Sequence, residues 1–308
     1  ILATIRAFFS ERDVIEVETQ LLSQGTVTDV HLDSFSTTFN YSQVSHCDEA
    51  HAYYLQTSPE FAMKRLLADG YGSCYQICKA FRHEEPGRIH NPEFTMLEWY
   101  RIGFTQFQLM EEVAELLKKT LTAKTPIKLT YQQAFVQYLS IDPLDTNLLE
   151  MKSTLDKYNV NGDWIADETD LDVLLQIAFS ECIESLIGID APCFIYNFPK
   201  SQASLAKISS DDPRVAERFE CYYQGVELAN GFNELTDAKE QLLRFNDDNE
   251  KRRLLNRETK PIDQNFMAAL SSGLPQCSGV ALGIDRLMMI AMQHDSIHST
   301  MTFSIENA

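Results

Sequence analysis

Two β-prone runs, Cys74 to Phe81 and Glu93 to Tyr100, flank a loop dense in charged, amide and aromatic groups, and this arrangement constrains the chain most. Runs of that length joined by a polar link predict an antiparallel strand-loop-strand. Its tip carries Arg82, His83, Glu84, Arg88, His90 and Asn91, with Phe94 just inside the second run. Such a tip can hold a nucleotide. Arginine offers phosphate oxygens a planar, permanently charged fork. Phe94 can stack on a base, while Asn91 and Glu84 can read polar edges. A salt-bridged hairpin with no ligand would use the same residues, and the local pattern does not separate the two.

Composition narrows the class. The chain has 308 residues, 44% hydrophobic and 23% charged, which is ordinary for a globular protein. No apolar run approaches the ~20 residues that span a bilayer, so no membrane association is expected. Ile1 to Phe9 contains Arg6 and runs into Ser10-Glu11-Arg12-Asp13, without the pattern of a secretory signal. The formal charge of −19 argues against a chain built to grip a nucleic-acid backbone. A small cationic substrate or a basic partner suits it better. Cysteines at 47, 74, 78, 182, 193, 221 and 277 form no Cys-x-x-Cys pair, which predicts free thiols in a reducing cytoplasm. His294 and His298 have no third ligand near them in sequence, so zinc is not expected.

Helical spacing is expected at Ile1 to Arg12, Phe104 to Leu121, Tyr131 to Leu139, Leu148 to Tyr158, Asp170 to Leu186 and Ala238 to Leu255. A further helix opens at Ser58-Pro59-Glu60, with serine as N-cap and proline in the first turn. Strands are expected at Val14 to Glu18, Cys193 to Phe198, Val226 to Leu235 and Gly279 to Leu282, and Arg286 to Met292 starts a closing helix. Strands separated by irregular helical blocks predict an α+β fold around a largely antiparallel sheet. The simplest organisation is one domain over 1–308 with a helical insertion at about 131–190.

Three more constellations carry chemistry. Glu227 and Glu234 flank Asn230-Gly231, where a turn or bulge would let both carboxylates converge and hold Mg²⁺. They could equally be two exposed strand acids. Gly279-Val280-Ala281-Leu282-Gly283-Ile284-Asp285-Arg286 places small residues on a strand, with Arg286 able to reach a phosphate from the next helix. Glu60 stands in a first helical turn, as a dipole stabiliser or facing a substrate ammonium.

Together these segments resemble the catalytic domain of class II aminoacyl-tRNA synthetases, in the lysyl branch, over nearly the whole chain. Ile15-Glu16-Val17-Glu18-Thr19 is similar to the first class motif, with Gln20 in place of the usual proline. Phe81-Arg82-His83-Glu84 with Asn91 to Glu98 resembles the second, although His83 stands where the family often has asparagine. Gly283-Ile284-Asp285-Arg286 resembles the third. Phe94 to Arg101, Ser201 to Ala206 and Cys277 to Gly283 are similar to the stand-alone ligases that attach (R)-β-lysine to a lysine of elongation factor P.

That resemblance implies ATP and Mg²⁺ as cofactors, lysine or (R)-β-lysine as donor, elongation factor P as partner and a homodimer. It also implies no anticodon-binding domain and no tRNA. Arg82 and Arg286 would be catalytic, on the α- and γ-phosphates. His83, Glu84, Asn91, Phe94, Glu227, Leu228 and Gly283 would line the nucleotide. Ser58, Pro59, Glu60, Tyr100 and Glu234 would hold the amino acid, and Ala281, where tRNA-charging relatives have glycine, would tune its choice. The alternative within the family is the catalytic domain of a lysyl-tRNA synthetase.

Overall fold

Ile5, Phe8 and Phe9 recur at helical spacing, and burying them folds the first segment into α1 (Leu2–Ser10). Phe9 stacks on Tyr75 at 4.4 Å between ring centroids and meets Trp99 edge-on at 5.3 Å. In this computed structural model residues 1–40 and 50–308 are described, and Cys47 lies outside them. The chain divides into two compact units, Ile1–Gly103 with Leu235–Ala308, and Phe104–Glu234.

In the first unit the strand expected at Val14 to Glu18 contracts to β1 (Ile15–Glu16). A small antiparallel sheet follows, with β4 (Ala50–Leu55) between β2 (Leu22–Ser23) and β3 (Ser36–Asn40). Its short, Ser/Thr/His-rich strands lack an apolar alternation and gave no signal in the sequence. Helix α2 (Glu60–Ala68) starts one residue later than expected, because its N-cap is Pro59. β5 (Cys74–Phe81) and β6 (Glu93–Ile102) form the expected hairpin, in unbroken register from Cys74 opposite Tyr100 to Phe81 opposite Glu93.

The second unit opens with α3 (Gln106–Leu121), where Thr105 and Gln108 satisfy each other's backbone N–H in a capping box. Next come β7 (Ile127–Thr130), α4 (Tyr131–Leu139), α5 (Leu148–Lys157), α6 (Asp163–Asp167) and α7 (Leu171–Cys182). Their apolar faces share one core with Ile195, Phe198 and Tyr222, in which Tyr131 stacks on Phe179 at 5.5 Å. Three strands complete the unit, β8 (Cys193–Pro199), β9 (Val215–Tyr223) and β10 (Val226–Asn233). They run in the order β10-β9-β8-β7, antiparallel except for β7 with β8. Strand β9 escaped the sequence reading because Glu217, Arg218 and Glu220 break its apolar run.

The chain returns to the first unit with α8 (Ala238–Leu254), capped by Asp237, and α9 (Gln264–Gly273), capped by Asp263. β11 (Cys277–Gly283) pairs antiparallel with β6 and leads straight into α10 (Ile284–Ala291). The sheet order here is β1-β5-β6-β11, with β1 parallel to β5. Arg252 on α8, 1% exposed, donates to Asp29 O, Glu258 O and the Asp33 carboxylate. Asp33 O in turn accepts the His83 N–H at 2.8 Å, so α8 braces the hairpin tip through the 29–33 loop. The α+β class and largely antiparallel sheets agree with expectation. Among the described residues no helix is long and apolar enough to cross a membrane.

Replacing Phe9 by alanine removes a fully buried ring from between Tyr75 and Trp99. The expected loss is about 3–5 kcal/mol, read as a lower urea midpoint by fluorescence of the neighbouring Trp99.

Candidate active site

The hairpin tip is built around its arginines. The Arg82 guanidinium lies 5.2 Å over the Phe94 ring, and its Nε is shielded from water with no hydrogen-bond partner among the described residues. A buried donor left that way is costly, and an anionic ligand would satisfy it. Arg286 reaches back from the first turn of α10, its Nε donating to Ile89 O at 3.2 Å and its Nη2 lying 2.9 Å from His90 Nε2. His90 thus joins Arg286 at the tip; it was visible in the loop but not singled out as a candidate. A methyl on Gly283 would touch the Arg286 side chain at 3.5 Å.

The remaining tip residues divide. Glu84 and His83 are exposed, and the His83 ring meets Phe35 edge-on at 5.1 Å. Asn91 is buried, its Nδ2 donating to Glu93 O at 2.5 Å and its Oδ1 accepting from Ile305 N at 3.0 Å. A further contact from Asn91 would use the second N–H of its amide or the remaining lone pair of Oδ1. Asp285 accepts the Thr95 N–H at 2.6 Å, which ties α10 to β6. Burial, against that hydrogen bond, raises its carboxyl.

A second cluster lies further along β6. Glu98 and Tyr100, two residues apart, share a strand face. Glu98 accepts from Ser58 Oγ and from Tyr100 Oη, both at 2.6 Å. Ala281 stands directly opposite Glu98 on β11, and Gly279 opposite Tyr100. Cross-strand neighbours share a face, so the Ala281 methyl flanks the Glu98 carboxylate. Pro59 is the N-cap of α2, and Ser58 Oγ also accepts the Glu60 N–H at 3.1 Å. Burial, then the Glu60 charge, push Glu98 up to about 7, against hydrogen bonds from Ser58 and Tyr100 and the Lys64 charge. Glu98 was not among the sequence candidates. A cavity of about 590 Å³ runs along α2, lined by Thr57, Ser58, Glu60 and Arg65, but Glu98 and Tyr100 are not on its wall.

In the second unit, Glu227 and Glu234 are an odd number of positions apart, at i and i+7, and should face opposite sides of a strand. A register shift reverses this. Glu227 pairs with Tyr222 and Ala229 with Cys221, leaving Leu228 as the extra residue of a bulge. The bulge falls at Leu228 and not at the expected Asn230-Gly231, which sits in regular register. Glu227, Asn230, Phe232 and Glu234 then share one face, with Arg218, Glu220 and Tyr222 opposite them. Arg218 Nε donates to Asn230 Oδ1 at 3.3 Å and pairs with Glu220 at 2.5 Å, while Tyr222 donates to Glu220. Burial raises the Glu220 carboxyl; Arg218 opposes the rise and the Glu227 charge adds to it. Glu220 is a further acid of this face that the sequence reading missed along with its strand.

The donor set suits Mg²⁺. Among the described residues no group of three or more His, Cys, Asp or Glu is placed to cage a metal. Mg²⁺ needs no such cage, since it keeps several waters and takes one or two carboxylates together with substrate phosphates. Glu227 is half-buried and Glu234 only 1% exposed, which makes Glu227 the more accessible of the two.

Residues 1–307 match the family model for class II tRNA synthetases (D, K and N). The elongation factor P (R)-β-lysine ligase of Pectobacterium atrosepticum is 50% identical over 308 residues, covering all of this chain and 94% of that protein. Ligases of the same name from Salmonella typhi and Edwardsiella ictaluri are 51% and 52% identical over 312 and 311 residues, each covering 100% of this chain and 94% of the relative. With the hairpin tip, the α10 arginine and a match over essentially its whole length, the chain belongs to the class II tRNA synthetase family of the D, K and N enzymes.

Proposed function

We propose that this chain is an ATP-dependent ligase that adenylates (R)-β-lysine, or lysine, and transfers it to a lysine side chain of elongation factor P. The observation that carries the reading is the buried cluster of Glu98, Ser58 and Tyr100 beside the cavity that Ser58 and Glu60 line, with Glu60 close enough for its charge to act on Glu98. A buried carboxylate poised near neutrality suits a donor ammonium, because ion pairing supplies what burial removed. Whole-length similarity to ligases of that name supports the same substrate and acceptor.

In the first step a donor carboxylate oxygen attacks the α-phosphorus of ATP. A new P–O bond forms, the bond to the β-phosphate oxygen breaks, and pyrophosphate leaves with the electron pair. Arg82 neutralises charge growing on the α-phosphate and Arg286 holds the γ-phosphate, so catalysis is chiefly positioning and electrostatic stabilisation. Glu84 and Asn91 read the adenine, with His83 beside them and Phe94 on the ring. By the family resemblance, the backbones of Leu228 and of Gly283 would each contact the nucleotide. Mg²⁺ held by Glu227 and Glu234 would offset charge on the phosphates. In the second step the neutral amine of the acceptor lysine attacks the carbonyl carbon; AMP leaves, the nitrogen sheds a proton, and an amide remains.

The proposal extends to a homodimer through the α1–β1 segment, where edge strand β1 leaves Ile15 48% exposed. It places the enzyme in a reducing cytoplasm, in keeping with the free described thiols. Residues 1–308 act as one catalytic domain with 131–190 as its helical insertion.

Radiolabelled lysine and (R)-β-lysine, supplied with ATP to elongation factor P and to lysine tRNA in parallel, should label the protein and favour (R)-β-lysine. Label on tRNA alone would make this a charging enzyme instead. Arg82→Ala should lower donor-dependent pyrophosphate exchange by about 100-fold or more; wild-type exchange would remove Arg82 from the mechanism. Ionisation of Glu98 near 7 predicts that the donor KM falls as the pH is raised through neutrality. Glu98→Gln should flatten that dependence and leave the KM for ATP in place.

A further inference from the structure

Lys64 is 1% exposed, on the inward face of α2 beside Met63 and Leu67. Lysine is rarely buried so completely, because its ammonium loses water that only close partners can replace. Here Nζ lies 2.5 Å from Glu60 Oε1, one turn back on the same helix, and 5.8 Å over the Phe266 ring. Lys64 thus takes one oxygen of the carboxylate assigned above to the donor. The second oxygen of Glu60 makes no hydrogen bond among the described residues.

We propose that Lys64 is a positioning residue of the amino-acid site, fixing the Glu60 carboxylate and offsetting one of the two negative charges in the pocket. With all three ionised, Glu60, Glu98 and Lys64 together sum to one negative charge. That complements a diamino monocarboxylic acid, whose two ammonium groups and one carboxylate sum to a single positive charge. This inference rests on the proposed function and deepens it.

The groups around Glu98 make the idea testable. Ser58, Glu60 and Lys64 act on it from the α2 side, Tyr100 from its own strand, and Gln76 and Ala281 face it in register from β5 and β11. Cys74 and Cys78 on β5 also feel its charge, but burial pushes both thiols up to about 12, so they stay neutral. Lys64 is the one cation of this set, and its charge favours the ionised form of Glu98. Removing it strengthens the effect of Glu60 as well, so both changes raise the Glu98 carboxyl.

The experiment measures donor-dependent pyrophosphate exchange across pH for wild type, Lys64→Met, Lys64→Gln and Lys64→Arg, with lysine and with (R)-β-lysine. Met and Gln should raise the donor KM about tenfold or more while leaving the KM for ATP within about twofold. Both should move the acid limb of kcat/KM for the donor upward by about one pH unit, and Lys64→Arg should restore it. An unmoved limb in an active Gln or Met variant would overturn the inference, as would equal losses for donor and ATP. If Met does not fold, Gln decides, since it keeps a hydrogen bond to Glu60 without the charge. No exchange by wild type with either donor would instead bring down the proposed function itself.

Discussion

The unbroken pairing of β5 with β6 is the constraint on which the first unit depends. One ladder delivers three things: the arginine tip at its open end, the carboxylate of Glu98 in its middle, and a flank on which β11 can dock. A slip of one residue would turn Glu98 and Tyr100 to the other face relative to β5 and take Gln76 and Cys74 out of register with them. The ladder is protected against such a slip at both ends. Phe9 and Trp99 close over the Cys74 end, and the Arg82 N–H bonds to Pro92 O at 2.9 Å just beyond Phe81.

The placement of charge follows from this geometry. Glu98 is almost wholly buried, so its protonation answers to a handful of neighbours, Ser58 and the α2 residues Glu60 and Lys64 with Tyr100 on β6. The same logic governs β9 and β10, where Glu220 is buried between Arg218 and Tyr222 and responds to Glu227. In both units an acid is kept in tension by an adjacent acid and relieved by an adjacent cation. Local charge, more than the net charge of −19, sets the protonation of such places.

Much of this architecture was legible in the sequence where periodicity was strong. The hairpin and the helices at 106–121 and 131–139 follow directly from apolar spacing. Strand β9 did not, because Glu217, Arg218 and Glu220 interrupt its apolar run, charged residues that look solvated until their partners are known. Glu98 and Lys64 were hidden for the same reason. A buried charge has no one-dimensional signature, since what makes it tolerable is a residue one turn away or on the next strand. The bulge at Leu228 was expected in kind but misplaced, drawn toward Asn-Gly, which is a turn signal only where the ladder does not already accommodate it.

That bulge acts as a parity switch. With Leu228 inserted, Glu227 points with Asn230 and Glu234; without one extra residue, it would point away. Side chains in this stretch can drift singly, each with a graded effect. Its length cannot, because losing or gaining one residue between Glu227 and Asn230 would turn an acid from one side of the sheet to the other. Natural variation among such proteins should therefore be read differently here: identity changes as tuning, and length changes as a loss of the arrangement itself.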